Sequence, residues 1–327
     1  MRAVTLTAHG RPPELLERAD PEPGSGELLV AVTAVPITPL DLLCASGTSY
    51  FGAPALPYVP GVQAVGVVRE GPAELVGRRV WFPTTAGMAP GDGGLAELAV
   101  AAEAECVTID ADLADTAVAA LGLSAVAAWE VLEGRAALRP GETVLVLGAG
   151  GVVGQVALQA ARLLGAGRVV AAARSDDALH RASALGADAV VDLRDDATTL
   201  TERLRDACQG LADVVVDPLA GLPGTAAVPV LGEGGRLVNL GSSAGAALSV
   251  DSAALRSRSA AVLGYTNNAL TDHRRREVFG TVLDHAAHRR IEVSHDVVPL
   301  EGAPAAWAAV SRGTASRRVV VSPLADR

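Results

Sequence analysis

Aromatic residues are scarce: three Phe, three Tyr and three Trp make up 3% of 327 residues. A core with so few rings must be filled by small and branched side chains. The hydrophobic half of the chain is indeed mostly Ala, Val and Leu, the composition of buried parallel strands and closely packed helices. Cysteine is sparse too. Cys44, Cys106 and Cys208 are odd in number, far apart and without a C-x-x-C pair, which excludes a disulfide framework and a zinc knuckle; they read as three buried, small apolar side chains. Basic charge is in deficit, with 27 Lys and Arg against 37 Asp and Glu for a net −10. That sign opposes attraction to nucleic acid or to an anionic membrane surface. No apolar run reaches about 18 residues without a charge or a breaker, and no basic segment leads into an apolar one at the start, so a cytoplasmic location is expected.

The length exceeds the usual size of one hydrophobic core, and two domains are expected. Residues 1–117 carry short β-rich runs at 28–35, 64–69 and 79–82, separated by Gly and Pro clusters at 21–26, 53–61 and 89–94. This predicts a loop-rich, mainly antiparallel domain. From Ala117 the texture changes. Apolar strands at 143–147, 168–172, 189–191, 214–216, 236–240 and 261–264 alternate with helical segments, which predicts an α/β, doubly wound parallel sheet over 118–265. A polar helix over 272–290, an extended stretch at 292–299, a short helix at 303–311 and a strand at 318–322 leave this rhythm. Residues 266–327 are therefore expected to fold back onto the first domain.

The strongest chemical signal is local. Thr143-Val144-Leu145-Val146-Leu147 reads as a buried strand, Gly148-Ala149-Gly150-Gly151-Val152-Val153-Gly154 as a tight turn, and 155–164 as an apolar helix. Strand, turn and helix in that order bring backbone N–H groups and the positive end of a helix to one point, where a pyrophosphate can sit. The adenosine ribose of such a dinucleotide is usually met at the end of the next strand. Here that position reads Ala173-Arg174-Ser175. A guanidinium and a hydroxyl suit a 2′-phosphate that a carboxylate would repel, so NADPH is expected over NADH; the competing assignment leaves Arg174 in solvent and gives the ribose to Asp176 or Asp177.

Several segments together resemble the medium-chain dehydrogenase/reductase superfamily, and within it the zinc-free quinone oxidoreductase branch. They are Thr38-Pro39-Leu40-Asp41 with Gly47, Pro57-Tyr58-Val59-Pro60-Gly61, the Ala149-x-Gly151-x-x-Gly154 form of the glycine turn, Gly234-Gly235-Arg236-Leu237-Val238 before Gly241, and Val298-Pro299-Leu300-Glu301. The resemblance implies a GroES-like catalytic domain from 1–117 and 266–327, a Rossmann domain from 118–265 that carries the cofactor, and a homodimer formed near residues 260–264. Zinc-dependent relatives place a cysteine near Thr38 and Gly-His-Glu where this chain has Gly61-Val62-Gln63. Two expected ligands are missing, and neither Thr nor Val offers a soft or imidazole donor; no catalytic metal is expected. His285 and His288 share a helix face beside Arg289 and Arg290 and read as a solvated polar surface.

Hydride passes readily, without a metal, to an acceptor that spreads the charge, such as a quinone or an α,β-unsaturated carbonyl. Such an acceptor needs hydrogen-bond donors near its oxygen, and the candidates run from Thr38 to Gln63. Among them Tyr50 falls close to a tyrosine that the resemblance associates with substrate or cofactor, the competing reading being ordinary loop packing. By the resemblance, the Ser124 hydroxyl lies near the nicotinamide. Gly241 and Ser242 follow a strand end, where open α/β sheets bind ligands, and Asn267 and Asn268 follow the last strand. Two other readings stay open: an enoyl-thioester reductase, with Arg274, Arg275 and Arg276 meeting the carrier's phosphates, and a cofactor-binding sensor that holds NADPH without turnover.

Overall fold

Short Val- and Ala-rich runs between glycine turns become strands in the computed structural model, which describes residues 1–323. The strands are β1 (Arg2–Thr5), β2 (Glu14–Glu17), β3 (Glu27–Pro36), β4 (Gln63–Glu70), β5 (Arg79–Pro83), β6 (Leu98–Ala102), β7 (Val107–Thr108), β8 (Thr143–Leu147), β9 (Arg168–Ala173), β10 (Ala189–Asp192), β11 (Ala212–Asp217), β12 (Leu231–Asn239), β13 (Ala261–Gly264), β14 (His295–Pro299) and β15 (Arg318–Ser322). The helices are α1 (Pro39–Ala45), α2 (Asp115–Glu130), α3 (Val152–Leu163), α4 (Asp176–Ala184), α5 (Ala197–Ala207), α6 (Gly221–Ala227), α7 (Ser252–Ser257), α8 (Asp272–Ala287) and α9 (Ala303–Ser311). They divide between two compact units, one holding Met1–Leu123, Phe279–Ala287 and the chain from Val293, the other Ser124–Val278 and His288–Glu292.

The first unit is organised by β3. Along its ten residues it pairs antiparallel with β4, with β6 through Glu27 to Ala31, and with β15 through Val35 and Pro36. The sheet order is β14-β15-β3-β4-β5-β7, and β14 is the strand added parallel, to β15. Of the tail, β14 and β15 join this sheet, whereas residues 266–278 and 288–292 belong to the second unit. Leu28, Val30, Val32 and Val35 pack with Phe82, Leu95, Leu300 and Trp307 in one core, each fully buried aliphatic or ring contributing about 1.5–3 kcal/mol. The texture change at Ala117 falls inside α2, a helix that continues into a π-helical turn at Val131–Arg135. Asp115–Arg135 is long and apolar enough to cross a membrane by length and composition, but most of it is buried inside the protein. Gly122 breaks its helical geometry with φ 39° and ψ −140°.

In the second unit all six strands run parallel in the order β10-β9-β8-β11-β12-β13. This is the expected Rossmann sheet. Reversal of the winding on either side of β8 places the carboxyl ends of β8 and β11 at its switch point. Leu145, Leu147, Val170, Val215 and Leu237 form one buried face with Leu200 and Leu204 of α5. Cys44 and Cys208 are buried as expected, whereas Cys106 is only half-buried at the end of a one-turn 3-10 helix. Burial pushes all three thiols up, to about 11, 12 and 11 for Cys44, Cys106 and Cys208, so none supplies a thiolate near neutral pH.

Candidate functional site

β8 ends in a turn shaped by three close approaches. Gly148 takes a left-handed φ of 66°, and a Cβ there would stand 3.0 Å from a Leu219 methyl and 3.2 Å from Pro218 Cγ. Gly154, in the first turn of α3, presses on the strand exit so closely that a Cβ would lie 2.5 Å from Ala149 Cα and collide with the Gly148 carbonyl. Gly151 differs. It is the N-cap of α3 in ordinary extended geometry, φ −80° and ψ 166°, with no side chain capping the helix. A Cβ at Gly151 would meet nothing nearer than 3.6 Å. By contrast, α4, α5 and α7 are capped by the side chains of Ser175, Asp196 and Asp251. The start of α3, at Val152, Val153 and Gly154, thus offers bare N–H groups and its dipole to an anion. Inside the turn, Ala149 N–H is used on Ala172 and Gly151 N–H on Gly148, while Gln155 Nε2 holds the Gly150 carbonyl at 3.0 Å.

At the β9 exit Arg174 is exposed. Ser175 is partly committed, its Oγ accepting from Ala178 N–H at 3.2 Å. The two carboxylates that compete for the ribose are both occupied: Asp176 meets Arg194 at 2.9 Å and Asp177 meets Arg181. Farther along the same edge, Gly241 lies against the Pro218 carbonyl, with a Cβ clearance of 2.6 Å, and Ser242 is exposed beside it. Asn267 opens a 3-10 turn after β13 and its Oδ1 accepts from the Tyr265 hydroxyl at 2.7 Å. Ser124 lies in α2, two residues past the Gly122 kink.

One residue of this edge escaped the sequence reading. Asp217 ends β11 and is fully buried, yet it accepts hydrogen bonds from Leu219 N–H, Ala220 N–H and Asn239 Nδ2 at 2.9–3.0 Å. Its signal was a carboxylate closing an otherwise apolar run, Val214-Val215-Val216-Asp217.

In the first unit, one of the three expected donors has already spent its proton, and a second is fixed through its acceptor oxygen. Thr38 caps α1: its hydroxyl donates to Asp41 Oδ2 at 2.6 Å and accepts from Asp41 N–H. The other Asp41 oxygen accepts from Gly61 and Val62 N–H at 3.0 and 2.9 Å, which ties the start of α1 to the Pro-Gly turn. Burial pushes the Asp41 carboxyl up, and these donors pull it back. Gln63 is 1% exposed, and its Oε1 accepts from Trp81 Nε1 at 3.0 Å and Leu123 N–H at 2.7 Å. It fills the α2 kink, where a Cβ on Gly122 would lie 2.5 Å from Gln63 Cδ. Thr38 has spent its one proton, and Gln63 has only its amide nitrogen to offer. Tyr50 stands apart from both on the surface, 76% exposed and leaning on Phe51 with ring centroids 4.3 Å apart.

The Arg-rich start of α8 is neutralised within the second unit. Arg274 meets Glu130 at 2.9 Å, Glu277 at 3.1 Å and Glu133, while Arg275 meets Asp272 at 3.3 Å. Among the described residues no group of three or more His, Cys, Asp or Glu converges.

Comparison with known proteins adds an independent line. Residues 152–287 match the family model described as "Zinc-binding dehydrogenase", and residues 24–111 match "Alcohol dehydrogenase GroES-like domain". The quinone oxidoreductase of Lama guanicoe is 31% identical over 250 residues, which cover 74% of this chain and 73% of that protein. Among solved structures, the quinone oxidoreductase of Thermus thermophilus, described also in complex with NADPH, is 30% identical with a TM-score of 0.84, covering 98% of this chain and 100% of that one. A mycobacterial protein complexed with NADPH is 25% identical with a TM-score of 0.88, covering 99% and 100%.

Proposed function

The chain belongs to the medium-chain dehydrogenase/reductase superfamily, in its quinone oxidoreductase branch, and from that membership we propose an NADPH-dependent, zinc-independent reductase of quinones or α,β-unsaturated carbonyls. The observation that carries this is the start of α3, capped by Gly151 with no side chain and pressed onto β8 through Gly154. The second unit would hold the pyrophosphate there, on the N–H groups of residues 152–154. When bound, the reduced nicotinamide supplies hydride.

Preference for NADPH rests on charge at the β9 exit. The chain contains no lysine, so a cationic contact to a 2′-phosphate falls to arginine, and Arg174 is exposed just where the ribose would end. Asp176 and Asp177, by contrast, are met by Arg194 and Arg181. Replacing Arg174 with Glu is expected to weaken NADPH at least about tenfold, roughly 1.4 kcal/mol, and to leave NADH binding little changed. Titration of both cofactors checks this; equal losses for the two would assign Arg174 to something other than the 2′-phosphate.

Zinc independence is supported by the donor chemistry. Thr38 is committed to Asp41, Val62 is a buried apolar side chain, and Gln63 presents an amide; none is a ligand zinc favours. Without a Lewis acid the acceptor must delocalise charge itself, which a quinone or enone does. With Thr38 occupied, the Tyr50 hydroxyl is the group we assign to the acceptor oxygen. NADPH oxidation measured against quinones, enones and enoyl thioesters, before and after dialysis with a chelator, tests the whole reading. Quinones or enones are expected to be turned over equally in both samples and at least about tenfold more slowly by Tyr50→Phe. Enoyl-thioester turnover alone would replace the substrate class, although Arg274 and Arg275 already face carboxylates. Tight NADPH binding with no acceptor reduced would make the protein a sensor.

A further inference from the structure

Two loops at the carboxyl edge of the Rossmann sheet are fastened by one buried pair. Asp217 closes β11 with 0% exposure, and Asn239 closes the neighbouring β12. Asp217 Oδ1 accepts from the N–H groups of Leu219 and Ala220 at 3.0 and 2.9 Å, which curls residues 218–221 back over the strand end. Its Oδ2 accepts from Asn239 Nδ2 at 2.9 Å, and the same nitrogen reaches the Gly241 carbonyl at 2.9 Å. The two loops then lace together: Ser243 Oγ donates to the Pro218 carbonyl at 3.2 Å, and Ala244 N–H to the Leu219 carbonyl at 2.8 Å.

Two further observations give the pair a direction. Ala220 is held at φ 52° and ψ −143°, a left-handed conformation that a residue with a Cβ keeps only where its surroundings impose it. Pro218 and Leu219 of the same loop lie over Gly148, at 3.2 and 3.0 Å from where its Cβ would be. The loop fastened by Asp217 is therefore a wall of the glycine turn. We propose that Asp217 and Asn239 are positioning residues, a carboxylate–amide clip that fixes residues 218–221 and 240–243 against the turn and so sets the affinity for the dinucleotide. This rests on the glycine turn being the cofactor site.

The test uses the full chain and two readouts. In the free protein, amide hydrogen exchange is followed in peptides spanning 218–221 and 240–245; in parallel, NADPH is titrated. Asn239→Ala removes only the bridge. Asp217→Asn keeps an acceptor for the two backbone N–H groups but turns a donor toward Asn239. Each is expected to speed exchange in both loops while the rest of the sheet keeps its protection, and to raise the Kd for NADPH about tenfold with kcat at saturating NADPH little changed. As one device, the double variant should bind no worse than Asp217→Asn alone. The clip is overturned if exchange in both loops stays at the wild-type rate, if it rises uniformly across the chain, or if the two losses simply add. Should Asp217→Asn fail to fold, Asn239→Ala decides alone. Should the wild type bind no NADPH, the proposed function fails, and loop exchange in the free protein still decides the clip.

Discussion

Alanine at position 151 is expected to leave the second unit folded and to abolish useful cofactor binding. Gly151 has φ and ψ open to any residue, and a Cβ there meets no protein atom nearer than 3.6 Å, so a methyl group costs the free protein little. The methyl does occupy the approach to the uncapped start of α3. A pyrophosphate that must come within hydrogen-bond distance of those N–H groups is held off, and the Kd for NADPH should rise about 100-fold, roughly 2.7 kcal/mol. The control is Gly154→Ala. There the Cβ would collide with backbone, the Gly148 carbonyl and Ala149 Cα, and strand and helix must part. Destabilisation on the order of 3 kcal/mol is expected. Thermal melting and NADPH titration of the two variants separate the cases: Gly151→Ala should melt like the wild type and bind poorly, and Gly154→Ala should melt early. A Gly151→Ala protein that keeps wild-type affinity would remove the pyrophosphate from this turn.

The second large effect is expected far along the chain, at Asp41. Its carboxylate accepts from the N–H groups of Thr38, Gly61 and Val62 and from the Thr38 hydroxyl. Alanine would strand these donors in a buried site, each unmet donor costing about 1–3 kcal/mol, partly relieved by local movement. A net loss of roughly 3–5 kcal/mol is expected for Asp41→Ala, read as a lower midpoint in denaturant. Asn should cost less, since one oxygen still accepts while its NH2 group opposes a backbone donor. If Asp41→Ala unfolds at the wild-type midpoint, α1 and the Pro-Gly turn are joined by something other than this carboxylate.

What could be read in advance divides by distance along the chain. The glycine turn was legible because strand, turn and helix are contiguous, and the strands of the Rossmann sheet each carry their own apolar run. β12 is the partial exception. It begins at Leu231, before the glycines at 234 and 235, and its register against β11 shifts between Ala212 and Val214, so the pattern showed only its second half. β6 was missed because Leu98–Ala102 becomes a strand by pairing with Glu27 to Ala31, partners some 70 positions away that no local periodicity reveals. The roles of Thr38 and Gln63 were hidden for the same reason. Thr38 is answered by Asp41, whose second oxygen is fixed by residues 61 and 62, and Gln63 by Trp81 and Leu123. A list of polar side chains near a motif shows which could donate, and only their partners show which are already taken.

The pairing of β15 with β3 carries a consequence for the making of the protein. Val320 and Val321 align with Pro36 and Val35, so the sheet of the first unit closes across a loop that contains nearly all of the second. On a ribosome the early half of that sheet must wait, one edge open, while Ser124–Val278 is synthesised. The Rossmann unit has almost all of its own contacts available by then. It is the part able to fold during translation, as domains do, leaving the exposed edge of β3 as the stretch most in need of protection until its last partner emerges.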